Sequence, residues 1–320
     1  MTTPRVLVLD DDPTPDLSRL DGRAEVFRSD GAGLAARLPD ADVLLVWDFT
    51  NDAVRRAWPG GGRRPGWVHT ASAGVDRLLP ELAGSDVVIT NARGVFDQPI
   101  AEYVTGLVLA MAKDFAGTWE FQRSRTWRHR ETMRVAGTRA VVVGSGPIGR
   151  AIGRALSALG AEVELVGRTE RSADAEFGRV HAGDALPALL PSADWVVCAA
   201  PLTPATDRLF DAAAFARTKP GACFVNVGRG RHVVLADLVA ALRSGHLRAA
   251  ALDVFEEEPL GGDSPLWDVP GLWVSPHMSG DTLGWRRDLS EQFCDNFDRW
   301  AAGEPLSNVV DKKLGYVPAH

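Results

Sequence analysis

Residues 140–149 read AVVVGSGPIG, so an apolar run leads directly into three glycines, Gly144, Gly146 and Gly149. Apolar residues then recur at helical spacing, at Ile152, Ala155, Leu156 and Leu159. A strand, the pattern G-x-G-x-x-G and a helix together form the first unit of a dinucleotide-binding domain. There the first glycine permits a tight turn, the second lets the backbone approach a pyrophosphate, and the third lets helix and strand pack closely.

The helix after this turn begins with Pro147 and Ile148, and its free N–H groups and positive dipole end suit phosphate groups. A tight turn without a ligand is the alternative interpretation of the glycines taken alone. The flanking strand and helix favour the dinucleotide site, so we predict that a cofactor contacts Gly144, Gly146, Pro147, Ile148 and Gly149.

Short β-rich runs alternate with helical ones along the chain, which indicates a parallel α/β architecture. Before the glycine motif, strands are predicted at Val6–Asp10, Val43–Trp47, Trp67–Thr70 and Val87–Thr90. From the motif onward, strands are predicted at Arg139–Gly144, Val163–Gly167, Trp195–Ala199, Cys223–Val227, Ala250–Phe255 and Leu272–Ser275. These runs are apolar at consecutive positions, as expected for strands that helices cover on both faces.

The predicted fold class is therefore α/β, with two doubly wound parallel-sheet domains. A Rossmann dinucleotide-binding domain is expected over residues 115–283, preceded by a long helical pattern from Pro99 to about Arg125. Residues 1–114 and 284–320 are expected to form a discontinuous, flavodoxin-like substrate domain. A helix predicted at Thr282–Ala301 would carry the chain back to it.

Composition excludes several classes of function. The 320-residue chain has a formal net charge of −7 and no concentrated run of Lys and Arg, which argues against a nucleic-acid partner. The apolar run around Val104–Ala112 is too short to span a bilayer, so no membrane partner is expected. Cys198, Cys223 and Cys294 lack metal-ligand spacing, so we predict buried free thiols, no metal and a reducing, cytoplasmic compartment.

The second strand of the predicted Rossmann domain should end at the residue that contacts the cofactor ribose. NAD-binding domains carry an acidic residue there, about 20 residues after the glycine motif. This chain has Gly167 instead, followed by Arg168, Thr169 and, two residues later, Arg171. An ordinary polar turn is the alternative interpretation. Because arginine pairs well with phosphate, we predict that Arg168, Thr169 and Arg171 favour NADP(H), with NAD(H) possible.

Three segments after late strands carry candidate catalytic residues: NVGRG at 226–230, LDVFEEEP at 252–259 and SPH at 275–277. Arg229 stands between two glycines in NVGRG, and its planar fork suits the carboxylate of a 2-oxo acid. His277 follows a strand in SPH, and histidine is the usual residue for general acid–base catalysis. A nearby carboxylate would orient that ring and favour its protonated form. Taken singly, each segment has an alternative interpretation. The arginine could be a surface residue, the histidine could be structural, and the run of glutamates could be a solvated turn.

With these motifs in order, the sequence resembles the D-isomer-specific 2-hydroxyacid dehydrogenases over nearly its whole length. The resemblance is carried by SAGVD at 72–76, IAE at 100–102, GSGPIG, PLTPAT at 201–206, NVGRG, LDVFEEEP at 252–259 and SPH at 275–277. It implies a hydride transfer between NAD(P)H and a small 2-oxo acid to give a D-2-hydroxy acid. It also implies a homodimer.

The same resemblance assigns residue roles. It implies that His277 is the general acid/base, that Glu258 is its partner, and that Arg229 binds the substrate carboxylate and carbonyl. The N–H groups near Ala73 and Gly74 are expected to bind the carboxylate from the other domain. Further cofactor contacts are expected at Pro201, Thr206 and Asp253.

Within the family, the chain is most similar to the glyoxylate/hydroxypyruvate reductase branch, which carries a tryptophan after the second strand, here Trp47. Trp285 is a second candidate for the wall of a substrate pocket, and either tryptophan could equally be a packing residue. The residues Met278 to Thr282, which follow the histidine, depart from many members.

Two other functions compete with this one. A dinucleotide-sensing scaffold or corepressor could keep the fold with little turnover, although such a protein does not require His277, Glu258 and Arg229 together. Formate-oxidising relatives pair glutamine with the histidine, so Glu258 disfavours them. A phosphite-type dehydrogenase is less easily excluded.

Overall fold

The chain folds into two units, Met1–Phe96 with Thr282–His320 and Asp97–Asp281. The computed structural model describes residues 3–10, 14–50, 52–58 and 62–318. Its strands, in chain order, are β1 (Arg5–Leu9), β2 (Glu25–Ser29), β3 (Val43–Val46), β4 (Trp67–Thr70), β5 (Val88–Asn91), β6 (Arg139–Val143), β7 (Glu162–Val166), β8 (Arg171–Asp174), β9 (Gly178–His181), β10 (Trp195–Cys198), β11 (Ala222–Asn226), β12 (Leu247–Leu252) and β13 (Leu272–Val274). Its α-helices are α1 (Leu34–Arg37), α2 (Ala53–Ala57), α3 (Leu79–Leu82), α4 (Asp97–Ala112), α5 (Phe115–Arg123), α6 (Pro147–Ala158), α7 (Leu186–Leu189), α8 (Ala212–Arg217), α9 (Leu235–Arg243) and α10 (Trp285–Ala302).

The first unit is built on a parallel sheet in the order β2-β1-β3-β4-β5. Strands β1, β3 and β4 are almost entirely buried, since helices cover both faces of a doubly wound sheet. Leu7, Leu44 and Val68 pack in one core with Leu34 of α1 and Leu82 of α3. The edge strand β2 is half-exposed, so it lacks the apolar run by which the other strands are predicted.

The second unit contains a sheet in the order β13-β12-β11-β10-β6-β7-β9-β8, which is parallel except for β8. The chain moves from β6 to β7 on one side and then to β10 on the other. The strand order therefore reverses beside β6, which makes the carboxyl ends of β6 and β10 the topological switch point. The predicted pair of doubly wound domains is confirmed.

The β8–β9 hairpin of the second unit is not apparent in the sequence. Its strands are short and largely exposed, so they show no apolar run. Arg150 of α6 holds the hairpin, because its Nη1 lies 3.1 Å from Asp174 Oδ1 and 2.9 Å from Glu176 Oε2.

The second unit begins at Asp97, whereas the predicted domain boundary lies after residue 114. The residues between the two boundaries are mainly those of α4. This helix packs against the dinucleotide helix α6 and groups with the second unit. The helical pattern predicted from Pro99 to about Arg125 forms two helices, α4 and α5, rather than one. Asp114 adopts a left-handed conformation (φ 50°) between α4 and α5, and its carboxylate accepts the Gly117 N–H at 3.1 Å. No helix in the described ranges has the length and apolarity needed to cross a membrane.

His69 on β4 is a fully buried histidine of the first unit. Its Nδ1 lies 2.8 Å from Thr90 Oγ1, which also accepts Trp67 Nε1–H at 2.8 Å. Its Nε2 has no hydrogen-bond partner within the described residues, and its ring lies 5.5 Å from that of Phe293. Burial lowers the pKa of His69 to about 3.

This lowered pKa predicts an acid-sensitive first unit. Below about pH 6.5 the unfolded chain binds a proton at His69 that the folded chain does not. The free energy of unfolding should therefore fall as the pH drops from 6.5 toward 3, by up to about 1.4 kcal/mol per pH unit from this residue. Denaturant unfolding at pH 7 and pH 5 measures the difference. His69→Leu should reduce it, whereas His129→Leu, at an exposed histidine, should not. Equal pH dependence in wild type and His69→Leu would contradict the assignment.

Candidate active site

The three predicted catalytic residues follow three neighbouring strands of the second unit. Arg229 lies beyond β11, Glu258 beyond β12 and His277 beyond β13. These strands are adjacent and parallel, so their carboxyl ends lie along one edge of the sheet. Residues far apart in sequence thus meet at the edge where doubly wound sheets bind ligands.

Glu258 and His277 form a direct hydrogen-bonded pair, with Oε2 and Nδ1 2.8 Å apart. The other carboxylate oxygen, Oε1, accepts the N–H of Phe255 at 2.8 Å. Burial by itself would raise the pKa of Glu258, but the hydrogen bonds from His277 and Phe255 and the charge of Arg229 lower it overall. Glu258 is therefore ionised at neutral pH. With Nδ1 engaged, Nε2 is the ring nitrogen available for proton transfer.

The backbone holds His277 in an unusual conformation. Its φ is 53°, a left-handed geometry that costs a non-glycine residue about 1–2 kcal/mol. Its N–H donates to the carbonyl of Asp253 at 2.8 Å. The His277 side chain is nevertheless 41% exposed, so a small molecule can reach it.

Asp253, predicted to contact the cofactor, is only 1% exposed. Its carboxylate accepts Ser275 Oγ–H at 2.6 Å, Met278 N–H at 3.0 Å and Ser279 N–H at 2.9 Å. These bonds bracket His277 and offset the cost of its left-handed conformation. In this structure Asp253 anchors the loop that carries His277, and its contact with a cofactor stays a prediction.

Arg229 is held through its backbone. Asn226 Nδ2 donates to the Arg229 carbonyl at 2.9 Å, and His232 Nδ1 accepts the Arg229 N–H at 3.0 Å. The Arg229 guanidinium donates to the carbonyl of Gly228 at 2.8 Å. Asn226 and His232 are not among the residues predicted from the sequence. The only signal for them is a polar residue closing an apolar strand and a histidine three positions after the arginine.

The glycine motif occupies the predicted turn between β6 and α6. Gly144 has φ 126°, and a Cβ at Gly149 would collide with the Gly144 carbonyl, so each position requires glycine. A Cβ at Gly146 would meet nothing within 4 Å, so the N-terminus of α6 opens onto free space. No side chain caps this end of α6 in the described structure. Uncapped N–H groups facing open space fit the phosphates of a dinucleotide.

Arg168 and Thr169 are exposed just beyond β7. Arg168 makes no hydrogen bond or ion pair with any residue that the structure describes. Glu170, the acidic residue nearest to this position in the sequence, is paired with Arg179 at 2.9 Å. Arg171 is the exception to the predicted set, because its Nε lies 3.4 Å from Asp174 Oδ2.

The loop after β10 contains the predicted cofactor residues Pro201 and Thr206. Thr206 Oγ1 donates to the Pro201 carbonyl at 2.7 Å and accepts the Thr203 N–H at 2.9 Å. Since β10 borders the switch point, this closed loop stands beside the glycine motif at the same edge of the sheet.

The predicted carboxylate-binding backbone of the first unit follows β4. Ser72 Oγ donates to the Gly74 carbonyl, and Asn91 Nδ2 donates to the Ala73 carbonyl, both at 2.6 Å. Within the described residues, the N–H groups of Ala73 and Gly74 make no hydrogen bond. The bond to the Ala73 carbonyl fixes the peptide plane that carries the Gly74 N–H, and the Ser72 carbonyl, which accepts the Ala92 N–H at 3.0 Å, fixes the plane that carries the Ala73 N–H. Both N–H groups are thus oriented and remain able to bind an anion.

The two predicted pocket tryptophans differ in their surroundings. Trp47 is 8% exposed at the end of β3, which fits a packing role. Trp285 is the first residue of α10 and is partly exposed, and its ring centroid lies 6.2 Å from that of Phe96.

All three cysteines are free and buried. Across the described ranges, no three His, Cys, Asp or Glu side chains are grouped so that they could hold a metal ion.

Comparison with known proteins identifies the family. Residues 105–279, more than half of the chain, match the model described as "D-isomer specific 2-hydroxyacid dehydrogenase, NAD binding domain". The chain belongs to the D-isomer specific 2-hydroxyacid dehydrogenase family. It is therefore an oxidoreductase that uses a nicotinamide dinucleotide and acts on 2-hydroxy or 2-oxo acids.

Relatives of this dehydrogenase cover most of its length. Glyoxylate/hydroxypyruvate reductase A of Serratia proteamaculans is 29% identical over 306 residues, 89% of this chain and 95% of the relative. D-3-phosphoglycerate dehydrogenase of Mycobacterium leprae is 32% identical over 99% of this chain, which spans 60% of that protein. The crystal structure of an NADPH-dependent glyoxylate/hydroxypyruvate reductase from Sinorhizobium meliloti, in complex with NADP and sulfate, aligns with a TM-score of 0.85. It is 29% identical and covers 98% of this chain and 100% of that one.

Proposed function

We propose that this dehydrogenase reduces a small 2-oxo acid of the glyoxylate or hydroxypyruvate class to the D-2-hydroxy acid, with NADPH as the preferred reductant. The observation that carries the proposal is the 2.8 Å bond between ionised Glu258 and His277, beside Arg229. The reductase names of two relatives support the substrate class.

His277 donates the proton that the reduction requires. A nicotinamide cofactor held at the glycine motif, Gly144 to Gly149, would supply a hydride for the carbonyl carbon of the substrate. As the carbonyl oxygen gains negative charge, the Nε2–H of His277 donates its proton to that oxygen and forms the hydroxyl group. Glu258 stabilises the cationic imidazole before this transfer and keeps Nδ1 protonated throughout.

Arg229 binds the acid group of the substrate. Its guanidinium can form two parallel hydrogen bonds to a carboxylate, which orient the adjacent carbonyl. The N–H groups of Ala73 and Gly74 are proposed to bind the same carboxylate. Trp285, which is partly exposed, remains a proposed substrate contact.

The preference for NADPH rests on the residues after β7. Gly167 has no carboxylate to repel a 2′-phosphate, and Glu170, the first acid after it in the sequence, forms an ion pair with Arg179. Arg168 and Thr169 are exposed, so both can reach a phosphate. We therefore assign the 2′-phosphate site to Arg168 and Thr169. Arg171 is not assigned to it, because its Nε lies 3.4 Å from Asp174 Oδ2.

We also propose a homodimer. Helix α5 has no buried residue, although it carries Phe115 and Trp119, and Trp127 beyond it is 100% exposed. Asp114 fixes this segment by pairing with Arg130 at 2.6 Å. A surface that exposes three aromatic rings suits contact with a second copy. Sedimentation analysis should give a dimer that Trp119→Ser with Trp127→Ser weakens. Trp267→Ser, at another exposed tryptophan, should leave the dimer intact, and a wild-type monomer would refute the proposal.

The proposed chemistry predicts the behaviour of His277→Ala. Turnover of glyoxylate should fall by roughly 10² to 10⁴, the usual contribution of general acid–base catalysis, with little change in cofactor affinity. Glu258→Gln should lose roughly tenfold or more, because the neutral amide no longer stabilises the imidazolium. Glu257→Gln, at an exposed neighbour, is the matched control and should keep normal rates.

Steady-state kinetics with glyoxylate, hydroxypyruvate and larger 2-oxo acids, plus phosphite in the oxidative direction, decide between the functions considered. Near-normal turnover by His277→Ala would refute the assignment. Absence of turnover with every acid would favour a scaffold, and oxidation of phosphite would favour the other enzyme class.

The cofactor site predicts higher kcat/KM with NADPH than with NADH. A charge-assisted bond from Arg168 to a phosphate contributes about 1.5–3 kcal/mol, or roughly tenfold to a hundredfold in affinity. Arg168→Ala should therefore weaken NADPH and leave NADH nearly unchanged. Gly167→Asp combined with Arg168→Ala should shift the preference toward NADH, although a Cβ at residue 167 would first displace the Ser145 hydroxyl. An advantage for NADH in the wild type would contradict the prediction.

A further inference from the structure

His232 is a fully buried histidine that the proposed reaction does not use directly. It closes the short turn Gly230–His232 that follows Arg229. Both of its ring nitrogens lie within hydrogen-bonding distance of backbone groups that belong to two different loops. A buried imidazole in that position is a candidate for holding the loops together.

The first contact is to the arginine loop. His232 Nδ1 accepts the backbone N–H of Arg229 at 3.0 Å. Because Nδ1 accepts a hydrogen bond, the ring proton of the neutral imidazole lies on Nε2. The second contact follows from this tautomer, since Nε2 lies 3.4 Å from the carbonyl oxygen of Pro201 and can donate a long hydrogen bond to it.

Further bonds join the same two loops around His232. Its carbonyl accepts the Phe210 N–H at 2.9 Å. The guanidinium of Arg231 binds the carboxylate of Asp207 with two bonds, of 3.1 and 2.5 Å. The Pro201 carbonyl that faces His232 also accepts the Thr206 hydroxyl at 2.7 Å. The loop carrying Arg229 and the loop 201–210 are thus fastened to each other, with His232 buried between them.

We propose that His232 is a positioning residue. It sets the backbone of Arg229 for the substrate carboxylate and couples that backbone to the cofactor loop at Pro201. The inference rests on the proposed function, in which Arg229 binds the 2-oxo acid and Pro201 lies at the cofactor. No role for this position is implied by the motifs that carry the family resemblance.

Loss of the imidazole has a direct physical consequence. The Arg229 N–H would be left without its acceptor, and such a group is costly to leave unpaired in a buried place. The loop would then shift to reach another acceptor or water. A displaced guanidinium weakens binding of the 2-oxo acid and misaligns its carbonyl, so KM rises and kcat falls together.

Three substitutions separate the two contacts. The side-chain oxygen of Asn stands near the place of Nδ1, so His232→Asn keeps the acceptor for Arg229 and loses the donor to Pro201. The amide nitrogen of Gln stands near the place of Nε2, so His232→Gln keeps the donor and loses the acceptor. His232→Leu loses both. His246→Asn, at a histidine that contacts Thr218 at 3.0–3.1 Å, is the matched control.

Steady-state kinetics with glyoxylate and NADPH test the proposal. His232→Leu should raise the KM for glyoxylate by roughly tenfold and lower kcat. His232→Asn should stay within roughly threefold of the wild-type KM for glyoxylate while raising the KM for NADPH. His232→Gln should show the reverse. If His232→Leu does not fold, the contrast between Asn and Gln alone decides. Equal kinetic constants for Asn and Gln, or a wild-type KM in His232→Leu, would overturn the proposal.

Arg229→Lys distinguishes this failure from failure of the proposed function. A lysine keeps the charge but cannot form the paired bonds to a carboxylate, so its KM for glyoxylate should rise strongly. If Arg229→Lys is impaired while the Asn and Gln variants behave alike, only the role of His232 is wrong. If Arg229→Lys keeps wild-type constants, the proposed function itself is wrong.

Discussion

Glu258 and His277 lie on two loops that follow different strands, yet Glu258 Oε2 and His277 Nδ1 are 2.8 Å apart. This hydrogen bond therefore requires that both loops be held in place. Neither loop does this alone. The buried carboxylate of Asp253 accepts three bonds from the histidine loop, and its backbone carbonyl accepts a fourth from His277 itself. The left-handed conformation of His277 persists because these bonds over-determine it. The rest of the second unit serves to bring these strand ends together.

The electrostatics of the site follow from this arrangement. A half-buried carboxylate normally resists ionisation, yet Glu258 has a lowered pKa because three positive or donating groups converge on it. In the proposed reaction, this negative charge lies beside the imidazole that donates the proton. Arg229 would then add a positive charge for an anionic substrate, which a chain of net charge −7 does not attract by its overall field.

A different polar side chain holds each loop at this edge of the sheet. Asp253 secures the histidine loop, Asn226 and His232 secure the arginine loop, and Thr206 closes the loop after β10. Each anchor is a polar side chain bonded to backbone groups, which positions functional side chains without using them. Such support matters because displacement of a reacting group by about 1 Å can lower a rate by 10².

Sequence alone was sufficient for the elements whose signal is local. Nearly every buried strand was predicted within one to three residues, since a strand covered on both faces is an uninterrupted apolar run. The glycine motif and its flanking strand and helix could also be predicted from the sequence. The reason is steric, because Gly144 and Gly149 occupy positions where a side chain would not fit. Arg229 and His277 are candidates from their places after buried strands, whereas the choice of Glu258 within its run of glutamates rests on the family resemblance.

Tertiary structure decided what depends on partners distant in the chain. The exposed strands β2, β8 and β9 have no apolar run, and the break between α4 and α5 rests on the conformation of Asp114. The grouping of α4 with the second unit depends on its packing against α6. Asp253 anchors a loop, and His232 joins two loops, through hydrogen-bond partners that lie near only after folding. The proximity of Arg171 to Asp174 likewise depends on the folded hairpin. A linear pattern records residue type and spacing, whereas a hydrogen bond is determined by distances that exist only once the strands have been brought side by side.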